Sequence, residues 1–167
     1  IVRRSAGGLD GAERDLAAAE AGAEAAGDAR LAAEAAYHRA GIAVYRGDVT
    51  GCLDSTRAVL ASVDGRGFLR LECAVHFTLS VLYDRAGDVA AGLDAAQRCL
   101  ERAIATGYRL GEMNAAATIG ALLTRGGQLA GAIEHLERSL LLADELGHYA
   151  TDRQARLQLA EAFVAAG

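Results

Sequence analysis

The chain has 167 residues, of which 52% are hydrophobic, and a formal net charge of −5 at pH 7. That apolar fraction excludes an intrinsically disordered chain, and the acidic balance excludes a domain that binds nucleic acid through a basic stripe. Proline is absent and no apolar run approaches the roughly 18 residues of a transmembrane helix, so we expect a helical protein outside the membrane. Three cysteines without a disulfide-like spacing indicate a reducing cytoplasm.

Glycine recurs every 20 residues along the chain. One series is Gly7, Gly47, Gly87, Gly127 and Gly167, and the other is Gly27, Gly67, Gly107 and Gly147. This spacing is typical of repeat proteins whose helices end on a glycine in the left-handed conformation. In the pairs Gly47-Asp48 and Gly87-Asp88 the aspartate can cap the next helix, whereas Gly7-Gly8 and Gly127-Gln128 lack that cap.

The glycine turns predict eight helices in chain order. They are expected at about 9–26, 29–46, 49–63, 69–86, 89–106, 109–125, 129–146 and 149–166. Residues 1–6 would be the end of an incomplete helix, and the others form pairs at about 9–46, 49–86, 89–125 and 129–166. We therefore expect one repeat array over residues 1–167.

Both ends of the array indicate a fragment of a larger protein. The first repeat carries Glu13 and Glu20 where later repeats have leucine or isoleucine, as expected of a polar capping repeat. The last helix carries Leu157, Leu159, Phe163 and Val164, and no further helix covers this apolar set. Either the natural protein continues past residue 167, or two chains form a homodimer through the uncapped C-terminal helix.

Small residues form two columns when the repeats are aligned at 40 residues. One column is Ala40, Ser80, Gly120 and Ala160, on the helices that lead into the turn glycines of the first series, and the other is Ala12, Cys52, Gly92 and Ala132, on the helices that follow those glycines. Two such columns that face each other would let the helix backbones approach closely. The pattern therefore predicts antiparallel helix hairpins.

On these columns the chain resembles the tetratricopeptide repeat (TPR) family over almost its whole length. Two further columns fit the family: Ala43, Tyr83, Leu123 and Phe163, and Ala19, Val59, Cys99 and Ser139. The period of 40 residues differs from the usual 34 of the family, and the proline that usually ends the second helix is missing. The resemblance implies an all-α fold, a right-handed α-solenoid of antiparallel helix hairpins.

Repeats of this length with Gly-Asp corners are similar to the sensor region of MalT and other large LuxR-type bacterial regulators. They also resemble the peptide-binding arrays of Pins-type scaffold proteins. The resemblance implies a non-catalytic sensor or scaffold region of a multidomain bacterial transcriptional regulator in the cytoplasm. The alternatives are a stand-alone adaptor that mediates protein–protein assembly and an enzyme-associated repeat domain.

No group of residues has the spacing of a catalytic, cofactor or metal site. Lysine is absent, which excludes a phosphate-binding loop of the usual type. Cys73 and His76 could form half of a metal site, but the lack of a second pair favours a core position for both. Asp94 with Arg98, and Glu134 with Arg138, have the spacing of ion pairs on a solvated helix face. We therefore predict a protein that is not an enzyme and holds no cofactor or metal.

The resemblance places a binding face on the concave side of the solenoid, along the helices that lead into the turn glycines of the first series. Its positions fall thirteen, ten, six, three and two residues before the turn glycine. The informative ones are Glu34, Tyr37, Tyr45, Phe77, Val81, Asp84, Arg85, Asn114, Thr124, Arg125, Gln154 and Glu161. This mixture of aromatic, hydrogen-bonding and arginine side chains suits a protein or peptide partner, or a small polar effector. We expect no direct binding to nucleic acid or membrane.

Overall fold

The computed structural model describes the backbone of residues 6–166 and the side chains of 8–148, 153 and 155–164. This part contains eight α-helices and no strand: α1 (Ala6–Ala25), α2 (Ala29–Tyr45), α3 (Val49–Val63), α4 (Leu69–Arg85), α5 (Val89–Thr106), α6 (Arg109–Arg125), α7 (Leu129–Leu146) and α8 (Tyr149–Ala166). The prediction of an all-α fold is confirmed. None of the helices described is both long and apolar enough to cross a membrane.

The first helix begins earlier than the glycine series predicts. Helix α1 starts at Ala6, so Gly7 and Gly8 lie within its first turn rather than at a corner. A glycine in a helix costs only about 1 kcal/mol relative to alanine. No aspartate follows this pair directly to fix a new helix start, so the alanine-rich helix extends through it. The incomplete helix predicted at 1–6 lies outside the described residues, apart from Ala6 itself.

The corners at which glycine is followed by aspartate have the helix caps that the sequence predicts. The aspartates before α2, α3 and α5 accept the N–H of the residue three positions later: Asp28 from Leu31 at 3.0 Å, Asp48 from Gly51 at 2.8 Å and Asp88 from Ala91 at 3.0 Å. The glycine before each of them has a positive φ of 73–81°. Before α7, Gln128 makes no side-chain cap. The predicted capping difference is confirmed between the Gly-Asp corners and Gly127-Gln128, whereas Gly7-Gly8 forms no corner.

The chain divides into two compact units, Ile1–Leu71 and Glu72–Gly167, and the division falls in the first turn of α4. In the first unit α1 packs on α2 and α2 on α3. In the second, α6 packs between α5 and α7 and also contacts α8. Fully buried Met113, Ile119, Leu122 and Leu136 form its core.

The small-residue columns bring helices close together in the second unit. A Cβ at Gly92 would lie 3.3 Å from the backbone oxygen of Ser80. At Gly120 it would lie 2.5 Å from Leu136 Cγ and 3.1 Å from the backbone oxygen of Ala132. These contacts confirm the predicted close approach, because a side chain at either glycine would push the helices apart.

Removal of the cap at Asp88 should lower the free energy of unfolding. Asp88→Ala leaves the Ala91 N–H without its acceptor, and we expect a loss of about 1 kcal/mol. The control is Gln128→Ala at the equivalent corner of the next repeat, where the expected change is within about 0.5 kcal/mol. Urea unfolding followed by circular dichroism measures both. Equal losses would contradict a capping role for Asp88.

Gly120→Ala should destabilise the fold although alanine favours helices. The added methyl group overlaps Leu136, and we expect a loss of about 1–3 kcal/mol because the packed helices must shift. The control is Gly22→Ala in α1, where a Cβ meets nothing within 4 Å; this variant should gain up to about 1 kcal/mol. Thermal and urea unfolding give the sign of each change. A stabilising Gly120→Ala would show that no close approach exists.

Candidate functional site

The second unit contains a cavity of about 510 Å³ between α4, α6 and α8, here called the α4–α6–α8 cavity. Its lining consists of Phe77, Val81, Asp84, Asn114, Ala117, Thr118, Ala121, Thr124, Arg125, Gln158 and Glu161. On α4 and α8 neighbouring members of this set are three or four positions apart. On α6 the set runs from Asn114 to Arg125 in steps of one or three positions. The members on each helix therefore share one helical face. The volume lies in the usual range of ligand sites.

The floor of the cavity is apolar. It is formed by Phe77 and Val81 of α4 with Ala117 and Ala121 of α6. Phe77 packs against a buried cluster that includes Cys73, and this contact holds the ring in place. An apolar floor surrounded by a few polar groups is typical of binding sites, because burial provides affinity and polar groups provide orientation.

Charged groups lie on the rim. Arg125 of α6 forms an ion pair with Asp84 of α4, whose side chain is 25% exposed while that of Arg125 is 51% exposed. Glu161 of α8 is exposed and forms no ion pair within the described part of the chain. Gln158 has a buried Oε1 that no described group contacts by a hydrogen bond. The rim therefore combines one neutralised ion pair with acceptor groups that remain available.

The cavity brings together seven of the twelve residues that the sequence analysis selects. They are Phe77, Val81, Asp84, Asn114, Thr124, Arg125 and Glu161. Arg85 is on α4 next to Asp84 but is not part of the lining. The side chain of Gln154 lies outside the described residues. A binding role for the set stays a prediction.

The three selected residues of the first unit line none of the cavities described in that unit. Glu34 pairs with Arg30 at 2.5 Å, the ring of Tyr37 lies 5.3 Å from that of His38, and Tyr45 is 65% exposed. Thr118 and Gln158 line the cavity but were not predicted; they share the position nine residues before the turn glycine. Their shared column is the signal that could have identified them.

The first repeat uses charge where later repeats use apolar packing. Glu20 pairs with Arg39 at 2.8 Å, and Glu13 with Arg46 at 2.7 Å, so both glutamates join α1 to α2. The hydrogen bonds that Arg46 donates to the carboxylates of Glu13 and Asp10 raise the pKa of Arg46. The two glutamates that the sequence assigns to a polar outer face are thus turned toward α2. They border a separate cavity of about 420 Å³ within the first unit.

The cysteine and histidine side chains of α4 are core groups. Cys73 is 1% and His76 5% exposed, which fits the core position favoured by the sequence. The Cys73 sulfur lies 3.3 Å from that of Cys99 on α5, a pairing that the sequence spacing does not indicate. The contact with Cys73 and burial raise the pKa of the Cys99 thiol. Within the described residues no group of three or more His, Cys, Asp and Glu side chains is placed to hold a metal.

Two buried glutamates at equivalent positions join neighbouring helices. Glu72 accepts from Arg102 of α5 at 2.7 Å, and Glu112 accepts from Arg138 of α7 at 2.6 Å. The predicted pair of Arg138 with Glu134 is therefore wrong, because the buried carboxylate of Glu112 competes more strongly for the guanidinium. Both contacts hold helices together and involve no cavity-lining residue of the α4–α6–α8 site. The predicted pair of Asp94 with Arg98 is present at 2.9 Å.

Similar folds occur among solved structures. Two of them are crystal structures of nearly identical TPR-like repeats from a Podosopora anserina protein assigned as a kinesin light chain, one of which is a single-substitution variant. Each shares 16% sequence identity with this chain, aligns with 96% of it and with 80% of the other chain, and the TM-scores are 0.72 and 0.71. The fold is TPR-like.

This likeness concerns the fold alone, because the sequence identity is low. No protein-family model matches the chain, and a search of curated proteins finds no match. The TPR resemblance that the repeat columns predict is confirmed at the level of fold. The finer resemblance to bacterial regulators stays a prediction.

Replacement of Arg102, the cation beside Glu72, should lower the free energy of unfolding far more than replacement of an exposed arginine on the same helix. Glu72 has a side chain 2% exposed, so Arg102→Met leaves a buried carboxylate without its ion partner. We expect a loss of about 3 kcal/mol. The control is Arg98→Met, at a pair that is 55% and 65% exposed, with an expected loss under about 1 kcal/mol. Urea unfolding at neutral pH measures both, and similar values would contradict a structural role for Glu72.

Proposed function

We propose that this chain is a non-catalytic interaction module that binds an extended peptide segment in the α4–α6–α8 cavity. The observation that supports the proposal is the combination of an apolar floor with a polar, charged rim in one cavity of about 510 Å³. An enzyme would need a nucleophile, a general acid or base, or a metal site at that cavity. The described lining has two carboxylates, Asp84 and Glu161, but the hydroxyls of Thr118 and Thr124 donate to backbone oxygens rather than to either of them, so we assign the lining to binding and orientation of a ligand.

The shape of the site favours a peptide over a compact ligand. Packed helices lie roughly 8–10 Å apart, so a cavity lined by three helices extends over about 20 Å. An extended peptide covers that length with about six residues. Several lining residues fall at equivalent positions of successive repeats, for example Val81, Ala121 and Glu161, so the lining forms rows that cross the three helices. A small polar effector in the same cavity is the second candidate ligand.

The wider role that we propose is that of a sensor or scaffold region in a multidomain bacterial transcriptional regulator in the cytoplasm. The support is the 40-residue repeat with Gly-Asp corners and the net charge of −5, which disfavours direct contact with nucleic acid. A peptide or effector in the cavity would change how the array packs on a neighbouring domain. A stand-alone adaptor that joins two proteins is the alternative.

Association through α8 is part of this proposal. Leu157, Phe163 and Val164 are 57%, 52% and 84% exposed. Exposed apolar side chains on one helix favour contact with a further helix or with a second copy of the chain. The sequence beyond residue 167 of the gene would show which of the two applies.

Selection of peptides from a random display library tests the binding function. We expect the chain to enrich a set of related peptides, and Ala121→Tyr to abolish this enrichment because the ring would fill the cavity floor. The control is Ala130→Tyr, at an exposed position of α7 outside the cavity. Circular dichroism and thermal unfolding verify that both variants fold. Enrichment that survives in both variants, or that both lose, would contradict binding in this cavity.

The reading frame around the segment tests the wider role. An NTP-binding domain upstream or a helix-turn-helix domain downstream is expected for a regulator. Immediate start and stop codons would contradict it and would favour the adaptor.

A further inference from the structure

The α4–α6–α8 cavity presents more hydrogen-bond acceptors than donors. The Thr118 hydroxyl donates to the backbone oxygen of Asn114 at 3.0 Å. The Thr124 hydroxyl donates to the backbone oxygen of Gly120 at 2.9 Å. A hydroxyl has one proton and two lone pairs, so each threonine offers a ligand only its acceptor sites. The two hydroxyls, each of which could donate or accept a hydrogen bond, therefore act toward a ligand as acceptors.

Among the described lining residues the charged groups have the same bias, whereas the amides of Asn114 and Gln158 each offer both donors and an acceptor. Two carboxylates and one guanidinium line the cavity, and the guanidinium of Arg125 is paired with Asp84. The carboxylate of Glu161 has no ion partner among the described residues. The buried Oε1 of Gln158, one helical turn from Glu161, also has no hydrogen-bond partner. On α8 the cavity thus places an available negative charge beside an unsatisfied acceptor.

We infer that the cavity selects peptides that carry a lysine or arginine side chain, which binds beside Glu161 and Gln158 of α8. The inference rests on the proposed peptide-binding function and adds the class of residue that the site recognises. Ammonium and guanidinium groups are donors only, so they complement a surface of acceptors. Their hydrogen bonds to a carboxylate are charge-assisted and stronger than neutral ones. The aliphatic part of such a side chain would pack on the apolar floor.

An acidic peptide fits this cavity less well. It would have to take Arg125 away from Asp84, whose Oδ1 is buried. That exchange would leave a partly buried carboxylate without its cation, which is costly. It would also bring a second negative charge close to Glu161. The ion pair therefore acts against acidic ligands, whereas a basic side chain leaves it intact.

Three peptide mixtures test the charge preference. Each contains acetylated and amidated peptides of about eight residues, random in alanine, leucine, threonine and glutamine, with a central lysine, glutamine or glutamate. We expect the lysine mixture to bind the full chain about tenfold more tightly than the glutamine mixture, and the glutamate mixture to bind most weakly. The difference between lysine and glutamine should decrease as sodium chloride is added, because salt screens exposed charges. Fluorescence anisotropy of labelled mixtures gives the dissociation constants.

Two variants assign the preference to particular groups. Glu161→Gln should remove most of the advantage of lysine over glutamine. Arg125→Gln should strengthen binding of the lysine mixture several-fold, because it releases the Asp84 carboxylate for the ligand. The matched control is Glu101→Gln, at an exposed glutamate of α5 outside the cavity, which should leave all three constants unchanged. Thermal unfolding of each variant separates a binding effect from loss of fold.

The outcomes separate this inference from the function on which it rests. Equal binding of the three mixtures, lost in Ala121→Tyr, would overturn the charge preference and leave peptide binding in place. Tightest binding of the glutamate mixture, weakened by Arg125→Gln, would show an acid-binding site and would also overturn the inference. Absence of binding by all three mixtures and by the display library would overturn the proposed function itself.

Discussion

The close approach of neighbouring helices at small residues is the constraint on which the second unit depends. At Gly120 the backbone of α6 lies against Ala132 and Leu136 of α7, and a single methyl group would overlap Leu136 Cγ at 2.5 Å. At Gly92 the backbone oxygen of Ser80 occupies the space of a side chain. Protein interiors are close-packed, so helices held this closely cannot shift independently. The faces that they do not use for packing are therefore held in fixed positions.

The α4–α6–α8 cavity is a consequence of that arrangement. Phe77 lies on a buried cluster containing Cys73 and Cys99, and Ala117 and Ala121 are too small to fill the space between the helices. The cavity thus has a rigid apolar floor, while its charged groups, Arg125 and Glu161, are exposed at the rim. Rigid sites lose less entropy when they bind a ligand, so modest contacts can still give specific binding. Affinity would come from the floor and selectivity from the rim.

Charge has a different role in each part of the molecule. The buried pairs of Glu72 with Arg102 and of Glu112 with Arg138 join helices within the second unit. In the first unit Glu13 and Glu20 join α1 to α2 at positions where later repeats carry apolar side chains. The carboxylate of Glu161 at the cavity rim has no ion partner within the described residues, and the same is true of exposed carboxylates elsewhere, such as Glu101 and Asp144. Glu161 differs from those two in that it lines the α4–α6–α8 cavity, so a ligand bound there would meet its charge.

The sequence by itself determined the helices, most of their corners and a set of residues that the fold brings to one cavity. Glycine at a fixed interval, aspartate after it and small residues in two columns are local signals, and seven predicted residues line the same cavity. The corner predicted at Gly7-Gly8 is wrong, because glycine in a helix lowers stability by only about 1 kcal/mol per residue relative to alanine. Contacts between residues far apart in sequence were decided only by the tertiary structure. The pairs Cys73 with Cys99, Glu112 with Arg138 and Asp84 with Arg125 depend on side-chain direction and burial across helices, which repeat spacing does not encode.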